Sequence, residues 1–361
     1  MRSHTTIAIA IAAFVIGGCA STDDPADAGN DGTVRTTTST IGSPAASSTS
    51  DLPTTTTDAS TATTTIAAST TTDEVGAPAD IDPTSPPARL DVDPGADPDA
   101  DPGLDAGTFA QQLSEAHGTM TDPTAGAAAR ERAGLEYQLT LRELADRPEL
   151  DEAVLAASTP DASPALERTV RARQFLQARS TDRPPRPLPD VLPAWTVVEP
   201  EPIDTLLAHY AEAEQLTGVA WYWLAAIHLQ ETRMGRIEGV SSAGAVGPMQ
   251  FLPTTWEACC IGDPTVTRDA VVGAATYLSQ SGAPDDMAAA LYQYNPNDGY
   301  VAVVTAYAES LREQPELYAG YHAFQVFFGT SAGTVRLPIG YTRPEPIDAA
   351  AYLAAHPQDA A

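Results

Sequence analysis

Residues 221–250, WYWLAAIHLQETRMGRIEGVSSAGAVGPMQ, decide how the chain reads. The first fourteen hold no Gly or Pro and are rich in Leu, Ala, Ile and Met, which predicts a helix of about four turns. At 3.6 residues per turn, Leu224, Ile227, His228 and Glu231 share one face, apolar until its last member. Gly235 and Gly239 then let the chain leave the helix. A carboxylate at that point has two readings. It pairs with Arg233 or Arg236 at a helix end, or it sits against apolar surface with a raised pKa and acts as a general acid. The Gly/Ser-rich loop that follows favours the second reading. Ser241, Ser242, Gly244 and Gly247 bring backbone close to a ligand, and the turn Gly247-Pro248-Met249-Gln250 supplies an amide.

Glu231-Thr232, Gly247-Pro248-Met249-Gln250 and, further on, Tyr294-Asn295 resemble the three ordered motifs of the lytic transglycosylase SLT domain. The resemblance covers residues 203–312 and extends weakly to Tyr341. It implies a mainly α fold: a lysozyme-like helical catalytic domain with a C-terminal β-hairpin. The implied activity is cleavage of the MurNAc–GlcNAc β-1,4 bond of peptidoglycan, leaving 1,6-anhydro-MurNAc ends. Carried over position by position, it makes Glu231 the catalytic acid and then base. Ser241 and Gln250 fall near the N-acetyl group, with Tyr294 and Asn295 beside them. Met249 either floors a sugar subsite or fills the core. Tyr300 joins the binding group more as packing than as a sugar contact. Thr232 departs from the commoner Ser after the catalytic Glu but keeps the hydroxyl.

Outward from that stretch, the 361 residues divide by composition. Residues 1–19 read as a lipoprotein signal peptide, with Arg2, a short apolar run at 7–16, and Ile16-Gly17-Gly18-Cys19 resembling a lipobox. Cys19 becomes the lipidated residue, so the enzyme is expected on the outer face of the cytoplasmic membrane. Residues 20–107 hold 16 acidic and 2 basic side chains among Thr, Ser, Ala and Pro, and read as a disordered tether. The Asp run at 91–103 lacks the closing Glu of a calcium loop and reads as solvated linker. Residues 108–179 gain Leu, Arg and Glu at helical spacing and predict three or four short helices acting as a spacer or scaffold. Residues 180–202 are a Pro-rich linker in which Trp195 and Val197 pack onto the next domain. That domain is 203–341, and 342–361 read as an unstructured tail. The net charge of −29 argues against nucleic acid as a partner. The expected partners are glycan strands and, through the anchor, the membrane; the chain is expected to be a monomer.

The remaining residues are read more plainly. The six His show no metal-ligand spacing, and neither metal nor cofactor is expected. His228 is read as a packed histidine. Adjacent Cys259 and Cys260 are read as two buried thiols, since a ring between neighbours strains the backbone. Glycoside cleavage by water needs a second carboxylate. Glu238, Asp263, Asp269 and Asp298 are the available ones, and helix-end or loop roles account for the three Asp. A hydrolytic muramidase is therefore the alternative reading, and a non-catalytic peptidoglycan-binding protein a third.

Overall fold

A computed structural model describes residues 105–180 and 187–361. The signal segment with Cys19, and the tether up to residue 104 with its Asp run, lie outside the described residues. Four helices open the described chain: α1 (Ala106–Thr121), α2 (Ala127–Ala145), α3 (Asp151–Ala157) and α4 (Ser163–Ser180). Asp105 caps α1 by accepting the Thr108 N–H at 2.7 Å. Two short strands follow, β1 (Val191–Leu192) and β2 (Thr196–Val197), then α5 (Ile203–Thr217) and α6 (Trp221–Thr232). Beyond them come β3 (Ile237–Glu238), α7 (Pro253–Cys259), α8 (Thr267–Gln280), α9 (Met287–Tyr294), α10 (Asp298–Glu313) and α11 (Leu317–His322). The hairpin β4 (Val326–Thr330) and β5 (Gly333–Leu337), then β6 (Ile347–Asp348) and α12 (Ala349–Ala355), complete the order. The described residues are mainly helical, as expected, and among them are three two-stranded antiparallel sheets, β1–β6, β2–β3 and β4–β5.

The helix α6 is the axis of the core. Every residue from Leu224 to Thr232 is buried, so the helix is enclosed on all sides rather than on one face. It touches α5, α8 and α10. Its free N-terminus is met by α5, where Glu214 accepts the Trp221 N–H at 3.1 Å. Gly218, at φ 78°, turns the chain between the two helices as its place after the α5 stripe predicts.

Residues 108–179 do not form a separate spacer. Phe109, Leu113, Met120, Tyr137, Leu144 and Leu166 lie in the same hydrophobic cluster as Leu206, Leu224, Val271 and Val304. The contact between α2 and α11 requires glycine, because a Cβ at Gly134 would fall 2.2 Å from the Gly320 carbonyl oxygen.

A second, smaller cluster gathers Leu192, Trp195, Val197, Ile237, Val335, Leu337, Tyr341 and Tyr352. The expected packing of Trp195 and Val197 is found there. The described part of the segment read as linker carries β1 and β2. The tail at 342–361 is also folded, contrary to the sequence expectation. Its β6 pairs with β1, Asp348 caps α12, and the Tyr352 hydroxyl donates to Asp359 at 2.8 Å. This order comes from tertiary pairing, which an Ala-rich tail with few large apolar residues does not announce.

Smaller differences have local causes. Asn297, not Asp298, caps α10, accepting the Gly299 and Tyr300 N–H groups. Asp286 caps the start of α9 by accepting the Ala289 N–H. The hairpin turns through two residues, Ser331 and Ala332, because the ladder runs on to Thr330 and Gly333. Cys259 and Cys260 are disulfide-bonded and half-buried, not two buried thiols. Here α7 ends between them, and Cys260 is already extended at φ −130°.

Candidate active site

Glu231 is the penultimate residue of α6 and is 7% exposed. Burial raises its pKa to about 7, while the Tyr300 hydroxyl and the Arg233 charge pull it back down. Neither arginine of the pairing reading claims it. The structure gives Glu231 no ion pair among the described residues. Arg233 turns its guanidinium onto the Leu229 carbonyl, and Arg236 reaches Glu199 and the His322 carbonyl. No second carboxylate is among the groups that shift Glu231. Glu238 is exposed on β3, opposite Thr196, and Asp263 and Asp269 are taken up with the loop before α8.

The helix ends earlier than the composition predicts, at Thr232 rather than Met234. Arg233, Met234 and Gly235 all have positive φ, at 56°, 61° and 84°. What holds this strained exit is Thr232. Its hydroxyl donates to the Pro248 carbonyl at 2.6 Å and accepts the Gly235 N–H at 3.1 Å. The end of α6 is thereby tied to the Gly247–Gln250 turn. That turn is gripped at three successive carbonyls. Gln250 Nε2 donates to Gly247 at 2.8 Å, Thr232 to Pro248, and the Tyr294 hydroxyl to Met249 at 2.6 Å. Only glycine fits at 247, since a Cβ there would lie 1.8 Å from the Pro264 carbonyl oxygen.

The motif residues therefore converge, with differing roles. Ser241 shapes its loop: its Oγ accepts the Ala243 and Ala245 N–H groups, and its own proton remains to donate. Gln250 is half-buried at φ 50°, with Nε2 occupied and Oε1 left to accept. Met249 is fully buried, so its side chain belongs to the core rather than to a sugar-facing floor. Tyr294 and Asn295 are half-buried, and Tyr294 stacks on Tyr300 at 6.4 Å with 6° between the rings. Tyr300, only 2% exposed, faces Glu231. Its buried hydroxyl falls outside strict hydrogen-bond geometry with any group, yet it acts on the carboxyl as a hydrogen-bonding neighbour that lowers the Glu231 pKa. His228 is a packed histidine, as expected, bonded through Nδ1 to the Tyr210 hydroxyl at 2.8 Å and pushed down to about 3 by burial. Spacing places Tyr210 in the apolar stripe of α5 but names no partner for its hydroxyl. A Tyr in an apolar helical stripe needs a partner for its hydroxyl, and that was the available signal.

The Tyr300 position gives a measurable expectation. Tyr300→Phe removes an influence that lowers the Glu231 pKa, so that pKa rises. The acid form then persists to higher pH, and the alkaline limb of kcat/KM should move up. An unmoved limb with intact activity would show that the hydroxyl does not act on the carboxyl.

The arrangement is a buried carboxyl with a raised pKa, on which no other carboxylate acts, at the end of a helix in a helical scaffold. Over 152 residues the chain is 26% identical to the membrane-bound lytic murein transglycosylase F of Thiobacillus denitrificans, across 40% of this chain and 32% of that protein. The chain thus aligns with about a third of that relative's length. No family model matches, and no solved structure matches. The similarity supports the lytic transglycosylase family to which the motifs point.

Proposed function

We propose that this protein is a murein lytic transglycosylase that cuts the MurNAc–GlcNAc β-1,4 bond and leaves a 1,6-anhydro-MurNAc end. The observation that carries the proposal is Glu231: a buried carboxyl, with a pKa of about 7, on which no other carboxylate acts. Near neutral pH such a group is present in both forms, which suits one residue acting as acid and then as base. Protonated Glu231 gives its proton to the glycosidic oxygen as the bond from the muramyl C1 breaks. The charge left on C1 is oxocarbenium-like. The Glu231 carboxylate then takes the proton of the muramyl C6 hydroxyl as O6 closes on C1, and the acid is regenerated. Ser241, through its free proton, and Gln250, through Oε1, are suited to hold the acetamido group. A hydrolytic muramidase has less support, because Glu238 is exposed and does not act on Glu231.

Purified sacculi treated with the chain should release soluble disaccharide muropeptides. Sacculi left intact would remove the reading. The name of the relative, which is membrane-bound, and the Cys19 sequence together support an envelope location with a lipid anchor. Among the described residues no helix is long and apolar enough to cross a membrane. Cys19→Ser should move the protein from the membrane to the soluble fraction while sacculus cleavage by the purified chain persists. A variant that stays with the membrane would refute lipidation at Cys19.

A further inference from the structure

The exit of α6 is held at a second place besides Thr232. The Met234 N–H reaches back six residues to the His228 carbonyl, and the Arg233 N–H reaches the Leu229 carbonyl, both at 3.2 Å. The backbone from His228 to Met234 is thereby closed into a loop, and Glu231 is its middle residue. Arg233 and Met234, inside that loop, have positive φ, which residues other than glycine keep only where their surroundings impose it. The His228 side chain closes the same loop again. Its Nδ1 lies 2.8 Å from the Tyr210 hydroxyl, and that hydroxyl donates to Met234 Sδ at 3.6 Å. Its Nε2 lies against Gly235, where a Cβ would stand 3.3 Å from it. His228 and Tyr210 are fully buried, and Met234 is 1% exposed.

These contacts choose the tautomer. A tyrosine hydroxyl has one proton to give. If Tyr210 gave it to Nδ1, Met234 Sδ would lose its donor, and Nε2 would carry a buried N–H with no acceptor among the described residues. With the ring proton on Nδ1, the imidazole donates to Tyr210, Tyr210 donates to Met234, and Nε2 keeps only a lone pair. The Tyr318 hydroxyl adds a second donor to Tyr210 at 3.5 Å. Burial, with the charges of His322 and His209, pushes the His228 pKa down to about 3, so the ring stays neutral where Glu231 titrates.

We propose that His228 is a positioning residue for Glu231: its Nδ1–H, relayed through the Tyr210 hydroxyl to Met234, holds the exit of α6 closed and the carboxyl in one buried place. His228 and Tyr210 act through the loop and not on the glycan. The effect on rate rests on the lytic transglycosylase reading; the placement of the carboxyl does not.

The test uses the full chain with Tyr210→Phe, His228→Leu and His228→Asn, acting on soluble glycan strands. Tyr210→Phe removes one hydroxyl and keeps the ring. Its kcat should fall about tenfold or more while KM stays within about twofold, because the acid is misplaced and the glycan contacts are untouched. His228→Leu should do the same. His228→Asn, whose amide N–H takes the place of Nδ1–H, should return kcat to within about threefold of the wild type. An unchanged kcat in Tyr210→Phe, a loss confined to KM, or an Asn variant no better than Leu would overturn the proposal. Two further readouts do not depend on cleavage. In the wild-type chain, nitrogen NMR shifts should show a neutral His228 ring protonated on Nδ1 from about pH 5 to 8. A proton on Nε2 would overturn the relay, whether or not a variant folds. An NMR titration of the carboxyl carbons should show the Glu231 pKa dropping in Tyr210→Phe from about 7 towards the ordinary 4.5, as a loosened loop admits water. Tyr300, Arg233 and Tyr294, which also interact with the carboxyl, are unaltered in that variant. An unmoved Glu231 pKa would overturn the positioning. If the wild type cuts no strand, the transglycosylase reading fails, while these two measurements still decide whether His228 positions the carboxyl.

Discussion

Glu231→Gln is expected to lower glycan cleavage by at least ~10²-fold while the protein stays folded. The substitution keeps the shape of the side chain and removes the only carboxyl at the end of α6. Its effect on stability has the opposite sign. The folded-state pKa of Glu231 is raised from an ordinary 4.5 to about 7, so the folded chain binds this proton more tightly than the unfolded one. Stability therefore falls as pH rises through that window, and the cost of burying the charge is complete above about pH 7. Its size is on the order of 3 kcal/mol. The Gln variant lacks this cost, so at pH 8 it should melt no lower than the wild type. Activity within a few-fold of wild type would refute the assignment of Glu231. A variant that is inactive but also unfolded at pH 8 would refute the account of its burial.

A chain beginning at Pro189 is expected to be molten or aggregated. It lacks α1 to α4, and with them Phe109, Leu113, Met120, Tyr137, Leu144 and Leu166, each under 2% exposed. At about 1.5–3 kcal/mol for each large side chain removed from the core, the loss matches or exceeds the stability of a typical domain. The truncation also uncovers what these helices cover, including α10 where α4 lies on it and Gly320 where α2 crosses α11. Near-ultraviolet circular dichroism and a thermal melt check this. A cooperative transition within a few degrees of that of the longer chain would mean that the first four helices are dispensable after all.

The sequence was most legible where helical periodicity is strong. Val271, Ala274, Ala275 and Leu278 are all fully buried on α8, and of the α5 stripe Leu206, Leu207, Tyr210 and Ala213, all but the half-buried Leu207 are fully buried, as their spacing requires. The position of Glu231 on an apolar helix was legible for the same reason. What could not be read was how segments distant in sequence share a core. The stripes of α1, α2 and α4 look alike whether they pack on each other or around α6. Nor could the exit of α6 be read: Arg233 and Met234 are ordinary helix formers, and their positive φ is imposed by Thr232 reaching across to Pro248. The two tyrosines divide their work in a way that spacing does not reveal. Tyr294, the motif residue, spends its hydroxyl on the Met249 carbonyl, while Tyr300, six positions on, faces Glu231. The break between α9 and α10 at residues 295–297 stacks the rings in parallel, and no local pattern encodes that.

Cleavage by a single carboxyl has a chemical signature in the product. On the proposed reading no base among the described residues holds a water, so the muramyl C6 hydroxyl is the nucleophile and the new end an anhydro ring. The decisive measurement is mass analysis of the muropeptides released from purified sacculi by the soluble chain. The account predicts products one water lighter than those of a muramidase, with no new reducing ends. Products of full mass carrying reducible ends would contradict it, and would make Glu238 the first residue to replace.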